Sequence, residues 1–335
     1  MTATGYVAVV AGAGVLAALL SVVALLGSLG ALLLSYLTPL PLFAVGLMLG
    51  APAAQIAVGT MAIVLIPTMG WPVALAFVVV IGAPVAWVVQ RALTPVDDGA
   101  GGRMWMPAGP LLAGLVGYAA GILAAAWFAA LAAGAPGGAA ELLALAIGRV
   151  MEATGGEAPS TEELRRRFLL MPALAAVSWV VMIVTNGALA QGLLVRFGRN
   201  LRPGPDIAAI EAPRWAAPFL AVSAVVAAFA PPDGLGALGM NAGLVLLVPF
   251  LFLGLAVVHT LARRTGSPHL VLGLVYASCL ILTLPAVAVV ARRPGPARSA
   301  RSPHRRRPRH KPRRPRPSAP ESAPAGRDRW GSPPQ

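Results

Sequence analysis

Ninety residues pass before the first charged side chain, Arg91. A chain that held so long an uncharged and mostly apolar stretch in water would aggregate. In a bilayer the same stretch is stable, because lipid meets its outer surface. The opening third therefore excludes an ordinary soluble domain. The rest of the chain agrees: 11% of its 335 residues are charged, against about 25% in soluble domains.

Apolar segments fall at roughly 5–27, 29–50, 52–69, 71–93, 107–133, 168–195, 214–231, 239–262 and 269–291. A helix needs about 20 residues to cross about 30 Å of hydrocarbon, and these segments are of that length. Backbone groups in lipid must bond within their own segment, so helices are expected; a barrel would show alternating runs of about ten residues. The expected fold class is all-α: a polytopic integral membrane helical bundle over 1–291, with about eight transmembrane helices (seven to nine). A disordered tail is expected over 292–335. The first four segments are separated only by GSLG, GAP and MGWP, so one of them could be a re-entrant hairpin. Pro39, Pro41, Pro67, Pro72, Pro84, Pro249 and Pro285 lie in or beside the runs, where they can kink helices.

Two connections are long. Residues 139–165 are expected to form an amphipathic interfacial segment. Leu142, Leu145, Ala146, Val150 and Met151 recur at near-helical spacing, and Glu141, Arg149 and Glu152 lie off that stripe. The other, RFGRNLRPGPDIAAIEAP (196–213), is dense in Gly, Pro and charge and is expected to be an ordered loop. Arg196, Arg199, Arg202 and Arg214, with Arg263 and Arg264, place both Arg-bearing loops in the cytoplasm by the positive-inside rule. With nine spans the tail would then lie outside, which is awkward for so basic a segment.

The net charge of +14 belongs mostly to that tail: residues 292–335 hold fourteen Arg or Lys and two acids. Two readings stand. The tail binds anionic lipid or nucleic acid non-specifically through phosphate charge. Or it is a dispensable extension, with the Arg/Pro/Ala/Ser/Gly mixture that a frameshifted reading of GC-rich DNA produces. Cys279 is the single cysteine, so neither an internal disulfide nor a Cys-based zinc site is available. The N-terminus lacks the basic region of a secretory signal, so the first helix is expected to be retained.

No catalytic constellation is visible. There is no Gly-rich phosphate cradle ending in Gly-Lys-Ser/Thr, no His-Glu-x-x-His and no Gly-x-Ser-x-Gly. No acid lies near the centre of an expected span, which disfavours ion-coupled transport through an intramembrane carboxylate. No catalytic residue, metal or cofactor is expected. The polar groups within spans are few: Asn186, Gln191, Asn241 and His259, with Gln55 at a segment start. They line a small-molecule pocket, or the amides are interhelical hydrogen-bond glue at about 0.6 kcal/mol each and His259, near a helix end, is a satisfied interfacial residue or a proton relay. Asn186 and Gln191 are five residues apart and point in directions about 140° different, so one cavity would not easily use both. Arg196, Arg199, Asn200, Arg202 and Arg214 form a loop that either meets a partner or lipid headgroups, or anchors the helix end, paired in part with Asp206 and Glu211. In the fifth segment Gly109, Ala113, Gly117, Gly121, Ala125, Ala129 and Ala133 recur at every fourth position as a helix-packing seam, and Ala13, Ala17 and Ser21 repeat the spacing in the first.

YLTPLPLFAVGLMLG (36–50), SWVVMIVTNGALAQGLLVRFGRNLRPGPDIAAIEAPRW (178–215) and GLGALGMNAGLVLLVPFLFLGLAVVHTLARR (234–264) together resemble the YybS-like bacterial membrane proteins in their alphaproteobacterial form. The resemblance covers about residues 5–290. It rests on the overall pattern, with Asn186, Gln191, Arg199, Asn200, Pro203, Asn241 and His259 at the polar positions. That family is a domain of unknown function. It looks distantly similar to the membrane substrate-binding subunits of energy-coupling-factor vitamin transporters and to MreD cell-shape proteins. The resemblance implies a multi-pass protein of the bacterial inner membrane. Members of that family are expected to stop soon after the last helix, and this chain departs from them beyond about residue 293, which favours the frameshift reading of the tail. Two functions follow as expectations. One is a small-molecule-binding or transport-associated subunit without its own ATPase. The other is a membrane scaffold that assembles envelope or division proteins. No enzymatic activity is expected under either.

Overall fold

The computed structural model describes residues 2–97, 99, 102–153, 160–205, 210–231, 234–275 and 277–278. The chain divides into two units, Met1–Tyr276 and Ala277–Gln335, and the bundle belongs to the first. The division falls inside the expected 269–291 segment rather than at 291. From Cys279 on, that segment and the whole tail lie outside the described residues.

The helices are α1 (Ala3–Val23), α2 (Leu29–Ser35), α3 (Pro39–Leu49), α4 (Ala51–Met69), α5 (Trp71–Phe77), α6 (Ala83–Ala92) and α7 (Ala108–Ala132). They continue as α8 (Ala139–Ala153), α9 (Thr161–Phe168), α10 (Met171–Arg196), α11 (Ala216–Phe229), α12 (Leu235–Leu246) and α13 (Val248–Ala262). Joined across short breaks, the described residues give seven helices long and apolar enough to cross a membrane. The expected 214–231 span is α11, fourteen residues or about 21 Å at helical rise, short of the hydrocarbon thickness. The linker after α6, between the expected 71–93 and 107–133 segments, forms a small antiparallel hairpin of β1 (Pro95–Asp97) and β2 (Arg103–Trp105), with Val96 opposite Met104.

The two short turns in the first four segments are set by glycine followed by proline. Gly50 and Gly70 hold φ of +104° and +83°, which side chains resist, and Pro52 and Pro72 open the next helices where a missing N–H costs nothing. The chain therefore reverses in a single residue. That lets α3 pack on α4 and α10, and α1 on α4.

The bundle is apolar inside and out. Phe43, Leu42, Met61, Leu65 and Ile183 are fully buried, while Leu29, Ile63 and Phe229 are 75%, 70% and 85% exposed. A soluble protein would present a polar stripe there; a lipid-facing surface has no such need. Together these observations make the protein a membrane-embedded helical bundle.

Backbone groups freed at the breaks are recovered by side chains. Between α5 and α6 the chain makes a π turn over Val78–Gly82, and the Ala83 N–H reaches back to the Val78 carbonyl. Pro84 has no N–H to offer the carbonyls behind it. The Val79 carbonyl instead accepts from Tyr118 Oη at 2.7 Å, and the Val80 carbonyl from Trp179 Nε1 at 2.6 Å. The two rings stack, 5.8 Å between centroids, so α7 and α10 are both tied to the bulge. Trp179→Phe keeps the stacking and removes one bond. It is expected to cost about 1 kcal/mol in equilibrium unfolding from mixed micelles; an unchanged midpoint would mean that the bond contributes nothing.

The stretch expected to be interfacial is helical as α8 and α9, with residues 154–159 outside the described set, and α9 runs on towards α10 within one of the seven candidate spans. Ala140 and Ala144 of α8 turn inward, while Leu142 and Val150 of the apolar stripe are exposed. α9 begins at Ser160, whose hydroxyl caps Glu163 N, and pairs Glu162 with Arg165 and Arg166.

The small-residue seam of α7 does not run along one packed face. Gly109 is buried and Ala113 half-buried, but Gly117, Gly121, Ala125, Ala129 and Ala133 are exposed. The reason is helical pitch: a spacing of four drifts about 40° per step, so seven positions sweep about 240°. The buried stripe is Leu112, Leu115, Val116, Ala119 and Leu123. The shorter run in α1 drifts less, and Ala17 and Ser21 are buried with Ala18 and with Gly14, which faces Ala57, Thr60 and Met61 of α4.

Candidate functional site

The end of α10 determines the site. After Arg196 the Gly198 N–H bonds the Val195 carbonyl and the Arg199 N–H bonds the Leu194 carbonyl at 2.9 Å. Gly198 takes φ +62°, so this is a Schellman stop. The stop turns the chain back onto the bundle. Loop residue Glu211 then lies against α7, its carbonyl 2.9 Å from where a Cβ on Gly109 would stand.

The returning loop carries Arg202 inward. The sequence reading placed Arg202 with Arg196, Arg199 and Arg214 as headgroup or partner contacts. Those three are exposed, but Arg202 is 6% exposed. Its Nη1 donates to the Ala92 carbonyl at 2.9 Å and the Met106 carbonyl at 3.2 Å. Ala92 ends α6, so the guanidinium completes a helix C-terminus, where a cation is favoured. Nε makes a long contact, 3.4 Å, to the Pro203 carbonyl. Burial lowers the Arg202 pKa from its usual value by desolvating the charge, yet a guanidinium stays cationic. No carboxylate among the described residues pairs with it, and Asp206 lies outside them.

Gln191, one turn before the end of α10, locks this arrangement. Its Nε2 donates 2.7 Å to the Arg202 carbonyl, which also accepts from Asn200 Nδ2 at 2.9 Å. Gln191 is 5% exposed, and its Oε1 is buried with no hydrogen-bond partner. A buried amide oxygen left unmatched costs about 1–3 kcal/mol, so it marks a place where something polar belongs.

Both side chains open on one cavity of about 140 Å³. Phe43 and Leu47 of α3, Leu111 and Leu112 of α7, Ile183 and Gly187 of α10, and Phe252 of α13 form its apolar walls, and Pro205 and Ile210 of the loop close one side. Among the described lining residues Arg202 is the one charged side chain. A larger hollow of about 390 Å³ beside Trp87, Gly114 and Tyr118 has little polar surface besides the tyrosine, whose hydroxyl is already bonded.

The other expected ligand residues lie elsewhere. Asn186 is buried but absent from the cavity wall; Nδ2 bonds the Tyr36 carbonyl at 2.9 Å and the Met182 carbonyl at 2.8 Å. It recovers a carbonyl freed where α2 gives way to Pro39. Its Oδ1 is buried without a partner. Asn241 has every polar group used: Oδ1 accepts from Ala173 N, and Nδ2 donates to the Leu169 and Ala237 carbonyls. The void beside it, about 20 Å³, has room for a water and no more. His259 is half-buried on α13, with Nδ1 2.8 Å from the Leu255 carbonyl, and does not line the cavity. Gln55 is exposed at the start of α4. Of the four expected residues the structure brings Gln191 alone to the cavity and adds Arg202, which sequence reasoning left in the loop. No group of three His, Cys, Asp or Glu that could hold a metal occurs among the described residues.

No family model, no curated protein and no solved structure matches the chain.

Proposed function

We propose that the protein is a small-molecule-binding subunit of the bacterial inner membrane that holds its ligand in the cavity between α3, α7, α10 and the loop after Schellman residue Gly198. The buried, unmatched Oε1 of Gln191 on an otherwise apolar wall carries this reading, because a preformed apolar pocket with one or two placed polar groups is the usual form of a ligand site. The resemblance to the YybS-like proteins, and through them to transporter binding subunits, points the same way. Without a phosphate cradle for ATP in the sequence, energised uptake would fall to partner subunits.

A second reading, a scaffold for envelope proteins, is favoured by one observation. The exposed Gly117, Gly121 and Ala125 face of α7 would let another helix approach closely. Native mass spectrometry of the full chain released from its own membranes separates the two. Ligand binding predicts a stoichiometric small molecule, reduced at least tenfold in Ala188→Trp, which plugs the exposed end of the cavity wall. A co-purifying membrane protein with no small molecule, unaffected by that substitution, would establish the scaffold.

A further inference from the structure

We infer that the ligand is a small apolar carboxylate with a hydrogen-bond donor on the adjacent carbon, a 2-hydroxy or 2-amino acid, its carboxylate against Arg202 and its donor on Gln191. The inference rests on the binding reading above and names the ligand class.

Three observations converge. First, Arg202 brings a positive charge to an apolar cavity with no counter-charge among the described residues. Its Nη1 is spent on two backbone carbonyls and its Nε contact is long, while Nη2 has no acceptor among the described residues. A desolvated guanidinium with donors to spare is satisfied best by a planar anion, and a carboxylate matches its fork. Second, Gln191 cannot serve that anion as a donor, because its Nε2 is held by the Arg202 carbonyl. What it offers is Oε1, an acceptor, which requires a donor on the ligand. A plain fatty acid answers only the arginine, and an alcohol answers only the glutamine. A carboxylate bearing a neighbouring hydroxyl or ammonium answers both. Third, the space suits a compact body. An apolar cavity of about 150 Å³ accommodates a benzene-sized molecule. The space here, about 140 Å³ between Phe43, Leu112, Ile183 and Phe252, must hold the whole ligand, so it suits a branched side chain of three or four carbons and is too small for a phenyl one.

The full chain in lipid nanodiscs, titrated with four probes of one carbon skeleton, tests this. The probes are leucine, 2-hydroxy-4-methylpentanoate, 4-methylpentanoate and leucinamide. Leucine or the hydroxy acid should bind at least tenfold tighter than 4-methylpentanoate, which lacks the donor, and than leucinamide, which lacks the anion. Whichever of the two wins identifies the donor as ammonium or hydroxyl. Gln191→Met should erase the advantage over 4-methylpentanoate. The Arg202 carbonyl loses one donor but keeps Asn200 Nδ2, and the Arg202 bonds to Ala92 and Met106 do not involve the substituted side chain, so the variant serves where Arg202→Met fails to fold. Equal binding of leucinamide overturns the inference and assigns the counter-charge of Arg202 to an acid of the chain itself. Binding of none of the four, while a native small molecule is still lost in Ala188→Trp, overturns the ligand class and leaves the binding function standing. Absence of both overturns the two together.

Discussion

Valine at Gly14 is expected to destabilise the bundle by about 3 kcal/mol or more, the upper end of what overpacking costs. A Cβ at that position would stand 2.4 Å from the Ala57 carbonyl oxygen, 2.7 Å from Thr60 Cβ and 3.1 Å from Met61 N. Two of those three atoms are helix backbone and cannot rotate away. The helices must part, and every inward residue of α1 parts with them: Val10, Ala17, Ala18 and Ser21 are all essentially inaccessible in the native packing. In lipid no hydrophobic force draws the helices back, so close van der Waals contact is what holds them. Gly12, two residues earlier on the same helix, meets nothing within 4 Å of its ideal Cβ. Gly12→Val should therefore shift stability by no more than about 0.5 kcal/mol. Denaturant unfolding of both variants in mixed micelles measures the difference. Equal stabilities would show that α1 and α4 do not touch at Gly14.

This pair shows how far the sequence could be read. Composition and segment length were enough for an all-helical membrane bundle, because both are averages over many residues. Runs of small residues were harder. Ala17 and Ser21 pack as their spacing suggests, but the longer run from Gly109 to Ala133 winds off its face. A repeat of four is not the pitch of a helix, so the drift away from the packed face of this chain grows with the length of the run.

The site was legible in half. Gln191 stood out as an amide in an apolar run, and Asn186, about 140° away around the helix, does not line the Gln191 cavity. Arg202 could not be placed, because its position depends on a chain reversal at Gly198 and on two carbonyls, at Ala92 and Met106, that are about a hundred residues away in sequence. One signal was available. A glycine two residues past the last helical residue, then an asparagine and an arginine, reads as a Schellman stop followed by a return, and that would have turned attention inward. Asn241 illustrates the opposite limit: a lone amide in a span looks the same whether it faces a ligand or a backbone.

For Asn241 the structure gives a definite outcome. Asn241→Ala is expected to cost about 2–3 kcal/mol and to leave occupancy of the Gln191 cavity unchanged. Its Oδ1 caps the Ala173 N–H at 2.9 Å, in the first turn of α10, where Leu170 supplies no side-chain cap of its own and Pro172 has no N–H. Loss of an N-cap costs about 0.5–2 kcal/mol in water. Here the abandoned Ala173 N–H is buried and the Leu169 carbonyl, which also loses its donor, is part-buried, so a desolvation penalty adds. Asn186→Ala is the contrast. It removes the bond to the Tyr36 carbonyl but also removes the unmatched Oδ1, so its net cost should be smaller, about 1 kcal/mol. Thermal unfolding of the two variants, followed with native mass spectrometry of whatever small molecule the protein retains, reads both effects in one preparation. If Asn241→Ala lost the small molecule at undiminished stability, that amide would be a ligand contact and the cavity at Arg202 would not be the whole site.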